Sequence, residues 1–126
     1  MNKFLSAIMS SNGYNRINNT PLELFGNKHE FFLIQCFEME EIQDFFKTDK
    51  LDYLISEFQK LDDEKIKKNT SLFILIKVYD IHQFYNNYLN TIVAIEEDEY
   101  YFRKYIIFYT DEGLNDLNPD VQYLLH

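Results

Sequence analysis

Apolar residues fall along this chain in three dense blocks, separated by stretches in which they recur every three or four positions. The first block, Phe31-Phe32-Leu33-Ile34-Gln35-Cys36-Phe37, is an almost unbroken apolar run of strand length and predicts a buried strand. The second, Leu72-Phe73-Ile74-Leu75-Ile76 followed by Val78 and Tyr79, is apolar on both faces apart from Lys77. Side chains alternate across a strand, so such a run predicts a central place in a sheet. The third, Tyr100 to Tyr109, is rich in aromatic and β-branched residues and reads best as a strand. Phe102, Tyr105, Ile106 and Tyr109 also match helical spacing, which keeps a helix open there.

Between the blocks the period changes. Glu40 to Lys47 carries Ile42, Phe45 and Phe46 and predicts a short helix. Lys50 to Leu61 places Leu51, Leu54, Ile55, Phe58 and Leu61 on one helical face, with Asp49 positioned as a cap. Asp62 to Asn69 reads as a charged connection. Asp80 caps a longer helix with Ile81, Phe84, Tyr85, Tyr88, Leu89, Ile92, Val93 and Ile95 on one face, fading into Glu96-Glu97-Asp98-Glu99. Earlier, Thr20-Pro21-Leu22-Glu23 has the form of a capping box, and Gly26 would end that helix after a turn. Residues 10–20 form a polar loop. The tail predicts one or two short helices, at Asp111 to Leu117 and Asp120 to Leu125, and its apolar last residues are expected to meet a partner or a further segment.

The order strand, helices, strand, helix, strand, helix predicts an α/β fold: a small mixed or parallel sheet of about three strands packed with amphipathic helices. Residues 1–20 divide off as a polar N-terminal lead-in and 21–126 as a single α/β domain. A length of 126 residues suits one domain, and a hydrophobic fraction of 46% supplies ample core. Only three Gly and two Pro interrupt the chain, which favours long regular elements over a β-sandwich full of tight turns.

Charge narrows the functional classes. With 21 acidic against 12 basic side chains the net charge is −9, a surface that repels phosphate, so autonomous nucleic-acid binding is not expected. The single cysteine, Cys36, cannot form an internal disulfide and reads as a small buried hydrophobe. The first residues, Met1 to Met9, faintly resemble a signal peptide, but their apolar stretch is short, broken by Ser6 and followed by no cleavage pattern, and no stretch approaches a membrane span of about 20 residues. The expectation is a cytoplasmic protein with no membrane association.

Candidate chemistry is sparse. His29, His82 and His126 stand far apart, without the clustered spacing of a metal site. Ser10, Ser11, Ser56 and Ser71 lie outside any nucleophile-elbow motif, and three glycines provide no phosphate-cradling loop. Glu96 to Glu99 with Arg103 and Lys104 suggests a nuclease-like metal site. However, the nearest acid-to-lysine spacing, Glu99 to Lys104, is five positions, where such sites use two. A degenerate metal nuclease would use Asp80, Glu97 and Lys104; the simpler reading is a helix cap and a solvated turn. Lys65, Lys67 and Lys68 read as a solvated connection, with at most a minor DNA contact inside a larger assembly. No catalytic residue, metal or cofactor is expected.

Residues 96–110, Glu-Glu-Asp-Glu-Tyr-Tyr-Phe-Arg-Lys-Tyr-Ile-Ile-Phe-Tyr-Thr, together with Leu72 to Lys77 and the amphipathic helix after it, carry a resemblance. This segment resembles the middle components of ABC-three-component systems, which include Lamassu-like anti-phage systems, and the likeness spans roughly residues 30–118. The resemblance implies a non-enzymatic accessory subunit of a bacterial antiviral complex, acting beside an SMC-like ABC ATPase and a separate effector. The residues offer a contact surface of their own, in which Tyr100, Tyr101, Phe102 and Tyr105 carry more aromatic area than one strand needs and Arg103 and Lys104 lie among them; the plainer reading of the same cluster is an ordinary sheet face. Tyr and Arg are favoured at interfaces. The competing reading is an acidic inhibitor or immunity-type protein that binds a basic nuclease.

Overall fold

The computed structural model describes residues 7 and 9–110. Five strands form one mixed sheet in the order β1-β2-β3-β4-β5: β1 at Asn15–Arg16, β2 at Leu24–Gly26, β3 at Phe31–Phe37, β4 at Thr70–Lys77 and β5 at Arg103–Tyr109. β1, β2 and β3 pair antiparallel, while β3, β4 and β5 run parallel, with Leu33 beside Leu72 and Leu72 beside Lys104. The three strands read from the apolar blocks are β3, β4 and β5, and β4 sits where a two-faced apolar run must sit, between neighbours.

Parallel neighbours need crossovers, and here the crossovers are helical. A 3-10 helix at Met39–Lys47, α1 at Asp49–Gln59 and the short α2 at Glu64–Lys68 link β3 to β4; α3 at Ile81–Glu97 links β4 to β5. Successive strands are added in one direction with one handedness, so every crossover packs on the same face. Leu33, Leu72, Ile74, Ile76, Ile106 and Phe108 meet Ile42, Phe45, Leu54, Phe58, Phe84, Ile92 and Ile95 in the main core. The other face holds a smaller cluster of Met9, Phe25, Ile34, Phe73, Leu75 and Ile107, bordered by Tyr14, Phe32, Cys36, Tyr105 and Tyr109.

Several local expectations are corrected. The capping-box helix after Thr20 does not form. The Thr20 hydroxyl accepts instead from the Leu22 N–H two residues on, at 3.3 Å, and Leu24–Gly26 joins the sheet against β3. Strand pairing wins because Leu24 and Phe25 then bury on opposite faces, which one turn of helix would not achieve. Glu23 does not reach back as a box partner, and its Oε2 is buried with no hydrogen-bond partner among the described residues. The polar loop contributes β1, whose pairing to β2 places Asn15 beside Gly26. The charged connection contains α2, because the Asp63 carboxylate accepts from the N–H groups of Lys65 and Ile66. The cap of α1 is Thr48, accepting from the Leu51 N–H, one residue before the expected Asp49. Residues 103–109 are strand, since β5 pairs with β4 along its whole length, and the helical alternative is set aside. Cys36 is only partly buried. On α3, which kinks at Tyr88, Phe84, Ile92 and Ile95 are buried while Tyr85, Leu89 and Val93 are exposed, so its apolar face is wider than the sheet can cover. The predicted tail helices and His126 lie outside the described residues.

Gly26 ends β2 where Phe31 folds back across it. A Cβ there would collide with Phe31 Cδ1. Gly26→Ala is expected to lower the stability by about 1–3 kcal/mol, because the ring must leave its place in the core. Urea denaturation checks this, and an unchanged midpoint would show that Phe31 can move freely.

Candidate functional site

The connection from α3 to β5, residues 98–102, is built around one buried ammonium group. Lys104 stands second in β5 and faces the helical layer, as Ile106 and Phe108 do, and only 2% of it is exposed. Its Nζ lies 2.8 Å from Asp98 Oδ1 and 3.0–3.1 Å from the carbonyl oxygens of Asp98, Tyr100 and Phe102. Three N–H donors thus meet four acceptors, which satisfies a charge that burial would otherwise heavily penalise. The Phe46 ring lies 5.9 Å from the same nitrogen. Asp98 ends α3 through an N–H bond to the Ile95 carbonyl, and its Oδ1 also accepts from the Tyr100 N–H at 3.0 Å. The hydrogen bond from Lys104, opposed by burial and assisted by the Tyr100 N–H, holds the Asp98 carboxyl below its ordinary range.

This knot separates the candidate contact residues. Tyr100 is 73% exposed and Tyr101 38%, their rings 4.4 Å apart and nearly perpendicular. Tyr101 has φ +68°, a left-handed conformation that costs a bulky side chain roughly 1–3 kcal/mol. Its hydroxyl accepts from Gln59 Nε2 on α1 at 2.9 Å. Phe102 turns inward, 1% exposed, and stands edge-on to Phe58 at 4.8 Å. Arg103 points to solvent, 3.8 Å from Glu99. Tyr105 lies half-buried on the second sheet face against Phe73. The expectation that all six side chains share one surface is therefore corrected for Phe102 and Lys104, which alternation along β5 and its lead-in turns toward the helices.

The acidic run has separate engagements. Glu96 Oε2 accepts from the Ile106 N–H at 2.9 Å, Asp98 holds Lys104, and Glu99 faces Arg103. Asp80 caps α3 by accepting from the Gln83 N–H at 2.8 Å. Asp80 and Glu97 stand at opposite ends of a 17-residue helix, about 25 Å apart at 1.5 Å per residue, so the nuclease-like trio of Asp80, Glu97 and Lys104 is not assembled. Among the described residues no three His, Cys, Asp or Glu side chains are grouped to hold a metal ion. Nor, among them, is any helix long and apolar enough to cross a membrane.

Next to the tyrosine turn, at the amino-terminal ends of β3, β4 and β5, lies an open groove of about 640 Å³. Its lining includes Tyr101, Arg103 and Tyr105 on one side, Lys67 and Lys68 from α2, and the rings of Phe32 and Phe73.

Comparison with protein families matches residues 30–124 to the ABC-three component (ABC-3C) system Middle Component 1. The chain belongs to this family. The Middle Component 1 match begins one residue before β3 and takes in the parallel strands, their helices, the tyrosine turn and most of the groove. It makes the chain a component of a multi-component ABC system. Neither the curated proteins nor the solved structures give a match.

Two features of this Middle Component 1 chain escape a linear reading. Lys104 looks like a surface cation beside Arg103, although its place in the alternation with Ile106 and Phe108 signals an inward side chain. The groove joins Lys67 and Lys68 to Arg103 only through the strand register that sets Ser71 beside Arg103.

Lys104→Met is expected to cost about 2–3 kcal/mol in urea denaturation, since it leaves three carbonyls and a carboxylate without their donor. Asp98 has a folded-state pKa below its ordinary 3.8. Its contribution is therefore present in full above that value and is lost as the pH falls further, through the lowered folded-state range. The stability gap between the wild type and Asp98→Asn should accordingly narrow below about pH 3.8. A gap independent of pH would show that Lys104 does not depend on the ionised carboxylate.

Proposed function

We propose that this chain is a non-catalytic accessory subunit of an anti-phage ABC-three-component complex. It docks on the system's SMC-like ABC ATPase and couples that ATPase to an effector through protein contacts. The observation that carries this reading is the display of Tyr100 and Tyr101 on a turn pinned from below by Lys104, with Arg103 and Tyr105 alongside. Large amphipathic rings and a guanidinium are the side chains that concentrate binding energy at interfaces. A turn already held in one conformation loses little freedom when a partner covers it. Phe102 and Lys104 serve this surface from within the fold, as its support. The family match supports the multi-component setting, and the separate engagements of the acidic residues favour contact over chemistry.

Co-expression with the ABC ATPase of the same system tests the proposal. Tyr100→Ala combined with Arg103→Glu is expected to reduce capture of the ATPase by about tenfold or more, the scale of losing one strong interface residue. Both side chains are exposed, so the melting temperature should stay within about 2 °C of the wild type, as surface substitutions do. Undiminished capture by the double variant would rule out this surface.

A further inference from the structure

Lys67 and Lys68 have no carboxylate within ion-pairing distance among the described residues, in a chain whose net charge is −9. α2 ends at Lys68 and β4 starts at Thr70, so these cations project beside the first residues of β4 and β5, where Ser71 pairs with Arg103. The carboxylates that share the groove are already engaged. Glu30 accepts from the Tyr14 hydroxyl at 2.7 Å, and Glu99 faces Arg103. That Glu99 contact is long and solvent-exposed, and an ion pair of this kind holds weakly, so Arg103, which also engages the neighbouring Tyr105 side chain, can turn to another anion.

Beneath the cations the sheet supplies a continuous aromatic row. Tyr14 stands edge-on to Phe32 at 5.1 Å, Phe32 stacks on Phe73 at 4.9 Å, and Phe73 stands edge-on to Tyr105 at 5.8 Å. A cationic rim over an aromatic floor matches a ligand that carries carboxylates and an apolar ring together. The volume, about 640 Å³, is enough for a few side chains of an extended segment.

We propose that this groove receives an acidic, aromatic-bearing peptide segment of the protein partner, with its carboxylates on Lys67, Lys68 and Arg103 and its ring on Phe32 and Tyr105. The assignment rests on the docking reading above and adds the chemistry of what is recognised. A single-stranded nucleic acid fits less well. Phe73 is buried, which leaves the half-buried rings of Phe32 and Tyr105 open to a ligand, room for one ring but not for a run of stacked bases. A phosphate chain longer than the groove would also run onto an acidic surface.

The test is fluorescence anisotropy with a labelled hexapeptide of Glu and Phe in equal numbers. Controls are its Gln-for-Glu and Ala-for-Phe counterparts and a twelve-base thymidine oligonucleotide. The Glu/Phe peptide is expected to bind, more weakly as salt rises, and the combined Lys67→Glu and Lys68→Glu variant to bind it about tenfold less tightly. Both control peptides should bind about tenfold or more weakly than the Glu/Phe peptide. Circular dichroism should show the variant folded, because Lys68 is exposed and Lys67 only partly covered. No peptide binding, equal binding by wild type and variant, or tighter binding of the oligonucleotide would each overturn the proposal. Capture of the ATPase by the wild-type chain decides the docking reading separately, since the peptide titration reads the groove whether or not that capture occurs.

Discussion

A lysine ammonium buried under the helical layer organises the turn that leads into the last strand of the sheet. Lys104 is required by strand alternation to face inward, and a charge placed there must find acceptors inside the protein. The nearest are the carbonyls of the chain just before it, and the Asp98 carboxylate at the end of α3. Satisfying that one group therefore winds residues 98–102 around it. Tyr101 is forced into a left-handed conformation, and Tyr100 and Tyr101 are turned outward as Phe102 is drawn in. The outward display follows from an inward electrostatic need.

A second constraint comes from topology. Both parallel crossovers pack on the same face of the sheet, so the other face is not layered by the crossover helices. Its described cover is the side chain of Met9 and the bordering rings of Tyr14, Phe32 and Tyr105. Where that face meets the amino-terminal ends of the strands, the groove opens beside the tyrosine turn. The turn and the groove share Tyr101, Arg103 and Tyr105, which makes one continuous surface from an exposed aromatic pair to a cationic trough. On such a surface rings supply contact area and cations set the sign of what is preferred.

The sequence makes the parallel half of the fold plain and the antiparallel half obscure. Phe31 to Phe37 and Leu72 to Ile76 read as buried strands, because runs so apolar have no polar face to present to water and are too short for a typical helix. Asp80 announces the start of α3 by a cap that depends only on neighbours three residues apart. β2, by contrast, is three residues long and owes its conformation to pairing with β3, against a local pattern at Thr20 to Glu23 that favours a helical turn. The candidate contact segment stands out in the sequence through its resemblance and its surplus of aromatics. The separation of Phe102 and Lys104 from their neighbours depends on which way β5 faces. The groove depends on register between α2, β4 and β5, and residues more than thirty positions apart in sequence meet there with no local signal.

Site-specific photo-crosslinking in the assembled complex measures most directly which surface meets the partner. A photoreactive side chain at Tyr100 reports on the tyrosine turn; the same group at Tyr79, which is 94% exposed, reports on the far ends of the parallel strands. The two positions are roughly 20 Å apart along the sheet, the length of a seven-residue strand. Crosslinks to the ABC ATPase from position 100 and none from position 79 are the predicted result. Crosslinks from position 79 with position 100 silent would place the contact at the opposite end of the sheet and contradict it.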